Sequence, residues 1–146
     1  MNLIVMNVDV LKFVQENIFL VGVAVASGGM LVWPMFSRGT GGPSVGTVEA
    51  VQLMNRQDAI VIDIRDAAEY ASGHILNARN LPAAELEARA GELEKFKERP
   101  VIVTCESGSR SGPAAATLRN KGFTQAVGLS GGIAAWKAAS LPTEKA

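Results

Sequence analysis

The chain carries one cysteine and one histidine in 146 residues, and both scarcities exclude chemistry. A lone Cys105 cannot close an internal disulfide, so no disulfide framework organises the fold. With only His74 beside it, it cannot build a Cys/His zinc site either, and no metal or other cofactor is expected. A charge surplus is missing too: 14 Lys and Arg balance 14 Asp and Glu, so nothing global draws the chain to nucleic acid. Internal repeats and heptads are absent.

Apolar residues make up 48% of the chain, and part of that share is concentrated in one block. After a short mixed segment (1–17) containing Asp9, Lys12 and Glu16, the sequence IFLVGVAVASGGMLVWPMF runs from Ile18 to Phe36 without a charge. As a helix, about nineteen residues at about 1.5 Å each span close to 30 Å, the thickness of a bilayer's hydrocarbon core. Trp33 falls near one end and Arg38 follows it, as at a membrane interface. A core helix would show a polar stripe, and this block has none. A cleaved signal would begin with basic residues, whereas the side chains ahead of the block sum to minus one. The block is expected to be a single retained transmembrane anchor at 18–36. Arg38 and Arg56 beyond it, against Lys12 before it, lean toward a cytoplasmic C-terminal domain. Gly22/Ala26 and Ala24/Gly28 have the small-residue spacing of weak self-association between membrane helices.

SRGTGGPS at 37–44 has the composition of a flexible linker, drawn as 37–46, ahead of a domain at 47–146. That domain alternates in type. Thr47 is placed as the cap of a helix through about Asn55, with Val48, Val51 and Leu53/Met54 on its apolar face. Strands are expected at 59–64, 101–105 and 126–129. Helices are expected near 67–71, at 86–97 with Leu93 and Phe96 inward, at 112–120, and in a last short segment bearing Trp136. Strands separated by helices imply an α/β fold: a parallel sheet covered on both faces, with ligands beyond the carboxyl ends of the strands.

Cys105 lies at that kind of end. A β-branched run, Val101-Ile-Val-Thr, feeds it into the small-residue loop Glu106-Ser107-Gly108-Ser109-Arg110-Ser111, and an alanine-rich helix follows. Loop N–H groups can converge on the sulfur, and a helix N-terminus adds roughly half a positive charge. Arg110 adds a cation. A free cysteine titrates at about 8.5, and positive surroundings lower that, so Cys105 reads as a nucleophile rather than an inert buried thiol.

Asp63-Ile-Arg65, Gly73-His-Ile75, Ala78 with Asn80-Leu-Pro82, Cys105 through Ser111, and Gly131-Gly-Ile-x-x-Trp136 occur in this order. From about Thr47 to Pro142 the chain thereby resembles the single-domain rhodanese-like proteins, in their membrane-anchored bacterial form. The resemblance implies a rhodanese-like parallel sheet flanked by helices, after a single N-terminal transmembrane helix in a bacterial cell membrane. It also implies a sulfurtransferase whose loop cysteine carries a sulfane sulfur as a persulfide. A donor (thiosulfate or a persulfide) would load Cys105, and a thiol or cyanide acceptor would unload it. The loop 106–111 would bind substrate, and Asp63 and Arg65 would brace its base. His74 is expected to stabilise a turn, because an ionised thiol needs no base. Leu76-Asn77 departs from the Pro-Gly found in many members.

Two other classes compete. A phosphatase loop of related design carries five residues between Cys and Arg, against four here, and looks too small for a phosphoryl group. A tethered docking module, with Cys105 incidental, keeps the fold without the chemistry. Within the enzymatic reading, Glu106 opposes a thiosulfate dianion: two charges about 6 Å apart at an effective dielectric near 20 repel by roughly 3 kcal/mol. Persulfide donors are therefore expected to serve better.

Overall fold

The computed structural model describes the backbone of residues 2–37 and 42–146, and the side chains of 9–32 and 42–146. Two compact units divide the chain between Gly39 and Thr40. The first holds helices α1 (Asn2–Glu16) and α2 (Ile18–Ser37). Segment 1–17, read only as mixed sequence, is thus mostly helical. Among the described residues no single helix is long and apolar enough to cross a membrane. Asp9–Glu16 and Ile18–Val32 meet that test only together, and they bend by 90° between them. The expected single span at 18–36 is thus not shown among the described residues. The break falls at Asn17, whose side-chain amide and backbone N–H both donate to the Phe13 carbonyl. Phe19, Val25, Met30 and Leu31 on α2 are exposed. Arg38 and linker residues 38–41 lie outside the described residues.

The second unit is an α/β domain. Its strands are β1 (Ser44–Val45), β2 (Ile60–Asp63), β3 (His74–Ile75), β4 (Arg79–Asn80), β5 (Val101–Thr104), β6 (Ala126–Leu129) and β7 (Thr143–Glu144). Five of them form one sheet in the order β1-β6-β5-β2-β4, every pair parallel. β3 and β7 pair antiparallel by themselves. The expected linker 37–46 therefore runs into the sheet: Ser44 and Val45 register with Gly128 and Leu129.

Strand period two sorts the core. Val101 and Val103 face one side with Ile62, and Ile102 faces the other with Val61. The first side is covered by α5 (Leu86–Arg89), a 3-10 segment (Ala90–Phe96) and α6 (Ser111–Asn120). The second is covered by α3 (Thr47–Gln57) and α7 (Gly132–Ala138), which supply Ala50, Ile133 and Trp136. A short α4 (Ala67–Ser72) follows β2, opened by a capping box between Asp66 and Glu69.

Two local expectations change. Gly46, not Thr47, caps α3, and no side-chain hydrogen bond is made there; Val48 is exposed and Ala50 is the buried member of the helix. The expected helix 86–97 is one α turn continued as 3-10. Ala90, Leu93 and Phe96 are all buried at strict i,i+3 spacing, which three residues per turn align on one face and 3.6 do not. The Leu76-Asn77 departure leaves a closed turn: Ala78 N–H donates to the Ile75 carbonyl, and Asn77 occupies the left-handed region at φ 60°.

Candidate active site

β5 is the middle of the parallel sheet and wholly buried, so its carboxyl end is a fixed point from which the loop departs. Cys105 follows at 1% exposure. Its loop rises through exposed Glu106 and Ser107, turns at Gly108 with φ +87°, and returns through Ser109 and Arg110 to buried Ser111 at the head of α6. The Gly108 N–H donates to the Cys105 Sγ at 3.1 Å. Among the described residues it is the one backbone donor on the sulfur, where sequence had suggested several converging. Ser111 Oγ donates to the Gly108 carbonyl at 2.8 Å, and the Ser107 and Ser109 hydroxyls lie 3.2 Å apart.

A second segment holds the loop from outside. Ile133 N–H donates to the Cys105 carbonyl (2.9 Å) and Ala134 N–H to the Glu106 carbonyl (3.1 Å). The chain can come this close because residue 132 has no side chain. A Cβ on Gly132 would strike the Cys105 carbonyl and lie 2.7 Å from both the Glu106 carbonyl and the Gly108 nitrogen. A Cβ on Gly108 would lie 2.7 Å from the Gly131 nitrogen. Loop and Gly-Gly turn are thus pressed backbone to backbone. The sequence signal was the Gly131-Gly132 pair, quoted only for its resemblance, without its clamping role.

The base of the loop is a buried ion pair. Arg65 and Asp63 are 1% and 0% exposed, and Arg65 Nη2 meets Asp63 Oδ2 at 2.7 Å. Nε donates to the same carboxylate, and Nη2 also donates to the Gly73 carbonyl at 2.7 Å. Asn80 donates through its side-chain amide to the Asp63 and Arg65 carbonyls. The Asp63 hydrogen bonds, working against burial, hold the Arg65 guanidinium above its ordinary range. Its charge is therefore present at any pH the fold tolerates. The remaining Nη1 donates to Glu106 Oε2 at 3.2 Å. Asp63 and Arg65 thus brace each other, and through Arg65 they reach the loop.

Arg110 is exposed, and among the described residues it enters no ion pair. It borders an open cavity of about 340 Å³ with Ser109, Ala83, Leu86, Pro113 and Ala114. His74 sits in β3, stacked on the Tyr70 ring at 3.7 Å, with Nδ1 at 2.9 Å from the Tyr70 carbonyl and Nε2 at 3.4 Å from Glu144. Those partners belong to α4 and β7, so the histidine ties these elements together and is architectural there. Trp136 is buried, and its Nε1 donates to the Pro142 carbonyl. Among the described residues no group of His, Cys, Asp or Glu could hold a metal ion.

A cysteine at the carboxyl end of a central parallel strand, in a six-residue loop closed by an arginine and the start of a helix, is an anion-holding arrangement. The model of the rhodanese-like domain matches residues 47–139, which include every element of that arrangement. The chain belongs to the rhodanese-like family. Among its relatives, the Escherichia coli protein YibN is 41% identical over 95 residues, 64% of this chain and 66% of YibN. The match thus covers just under two thirds of that relative's length. A protein named sulfurtransferase from Allochromatium vinosum is 38% identical over 91 residues, 62% of this chain and 83% of the relative. The crystal structure of a rhodanese-related protein from Thermoplasma volcanium superposes with a TM-score of 0.63 at 27% identity, covering 70% of this chain and 97% of that one. This is a family with named sulfurtransferases among its members, built here around one free thiol.

Proposed function

We propose that the protein is a sulfurtransferase that carries a sulfane sulfur on Cys105. The observation that carries this reading is the Gly108 N–H on Sγ at 3.1 Å, a donor placed at the atom where negative charge sits. The Cys105 thiolate attacks the outer sulfur of the donor. The donor's S–S bond breaks, and its electron pair leaves with sulfite (from thiosulfate) or with a thiolate (from a persulfide). Cys105-S-S⁻ remains. An acceptor thiolate or cyanide then attacks the outer sulfur, forms the new persulfide or thiocyanate, and returns the Cys105 thiolate. No proton transfer or redox partner is required. The Allochromatium relative's name supports the reaction class. Comparing turnover to cyanide for the parent chain and Cys105→Ser tests it, with loss to background expected in the variant.

Glu106 sets the donor. Its side chain is about half exposed at the loop's rim and faces any incoming anion. Arg65 Nη1, 3.2 Å away, offsets part of that charge, so the repulsion is smaller than an isolated carboxylate would exert. Glu106→Ser removes the carboxylate and frees the guanidinium toward the mouth. The expected result is a gain in thiosulfate kcat/KM of about three- to tenfold, with less change for an uncharged persulfide donor. Equal gains for both donors in steady-state assays would remove the electrostatic explanation.

The apolar, exposed surface of α2 supports a further part of the proposal: it holds the domain at a bacterial cell membrane, with the sulfur chemistry on the cytoplasmic side. Weak self-association through the small residues of α2 belongs to the same reading. Carbonate washing of membranes checks the anchorage: the chain stays in the pellet, and deletion of residues 1–37 releases it.

A further inference from the structure

Gly108 is held at both of its peptide groups. Its N–H donates to the Cys105 sulfur at 3.1 Å, and its carbonyl accepts from the Ser111 hydroxyl at 2.8 Å. Between the two bonds lies a backbone at φ +87°, a conformation that only glycine adopts freely and that on its own has little preference over its alternatives. Something must select it. Ser111 is suited to do so, since it is 1% exposed at the first position of α6, fixed by the helix on one side and by β6 on the other. Gly128 of β6 leaves the space for it: a Cβ there would lie 3.1 Å from Ser111 Oγ. The hydroxyl is not used as a helix cap. It reaches back three residues into the loop, with the Leu129 carbonyl as a second, distant acceptor at 3.5 Å.

We propose that Ser111 is a positioning residue: through Gly108 it fixes the direction of the N–H that stabilises the Cys105 thiolate and, after loading, its persulfide. Ser111 need not touch substrate to do this. Without the hydroxyl, the peptide plane that carries the Gly108 carbonyl loses its anchor, and at a glycine the adjoining plane that carries the N–H is then freer to turn as well. The sulfur then loses its donor while Cys105, Glu106 and Arg110 keep their places in the chain. This deepens the sulfur-transfer reading and rests on Cys105 being the nucleophile. The two are nevertheless separable, because the charge state of the thiol is read without any sulfur donor.

The test is the rate of iodoacetamide alkylation of the only cysteine, followed by intact mass on the full chain across a pH series. Ser111→Ala is expected to slow alkylation about three- to tenfold at about pH 7 and to leave it within twofold at about pH 10, above the ordinary range of a free cysteine. Ser111→Thr, which keeps the hydroxyl, is expected to restore most of the rate at the lower pH. The charged groups of the mouth, Glu106 with Arg65 and the exposed Arg110, are the same in all three proteins, so the difference reports the hydroxyl. Superimposable profiles for parent and Ser111→Ala would overturn the proposal, whatever the variant does to thermal stability. Equal slowing at both pH values would overturn it as well, since that is the mark of altered access rather than altered charge. Failure of sulfur transfer with the expected alkylation pattern would instead sink the transferase reading and leave the positioning role standing.

Discussion

Gly132→Ala is expected to destabilise the domain by about 3 kcal/mol or more and to lower sulfur transfer by at least about tenfold. Two costs combine. Gly132 sits at φ +58°, where any Cβ is strained, and its Cβ would press on three backbone atoms of the nucleophile loop. Backbone cannot rotate away as a side chain can. Relief requires the 131–134 turn to retreat, which releases the Cys105 and Glu106 carbonyls from the Ile133 and Ala134 N–H groups. Gly91→Ala is the control, since a Cβ there meets nothing within 4 Å. Urea unfolding with parallel turnover assays checks both numbers. An alanine at 132 that leaves midpoint and rate unchanged would mean the loop is not clamped from this side.

The second large effect is expected at Asp63→Ala. The substitution strands a guanidinium that is 1% exposed, leaving it the Gly73 carbonyl and half-exposed Glu106 in place of a bidentate carboxylate. Removing one partner of a buried pair costs about 3–5 kcal/mol, because the other charge stays behind unpaired. The expected reading is a fall of that size in unfolding free energy by denaturant titration. Replacing Asp63 and Arg65 together by apolar residues should cost less than Asp63→Ala alone. If the double replacement is the worse of the two, the pair is contributing more than mutual neutralisation.

Much of this was legible before any coordinates, and the physics says which parts. β2, β5 and β6 announce themselves as short apolar runs because both of their faces are covered. α6 is followed by Gly122, and α7 is preceded by Gly131. Cys105 stands out because a strand, a small-residue loop and a helix start meet there. The two-residue strands were invisible, since Ser44–Val45, His74–Ile75, Arg79–Asn80 and Thr143–Glu144 contain no period to read and exist only through distant partners. The link from Arg65 to Glu106 spans 41 positions for the same reason. The 3-10 course of Ala90–Phe96 was present as the i,i+3 spacing of 90, 93 and 96, but the surrounding charges looked like an ordinary α-helical face. Gly131 and Gly132 stood out in the sequence only as part of the motif that carries the resemblance. That they clamp the loop depends on an approach between segments some 25 residues apart, which only the folded chain reveals.

The central claim is that Cys105 holds a transferable sulfur, and intact mass spectrometry of the full chain tests it most directly. After exposure to a persulfide donor, and separately to thiosulfate, the account predicts a gain of about 32 Da that cyanide removes, larger with the persulfide and missing in Cys105→Ser. An unchanged mass with both donors, or a gain that persists in Cys105→Ser, would contradict it.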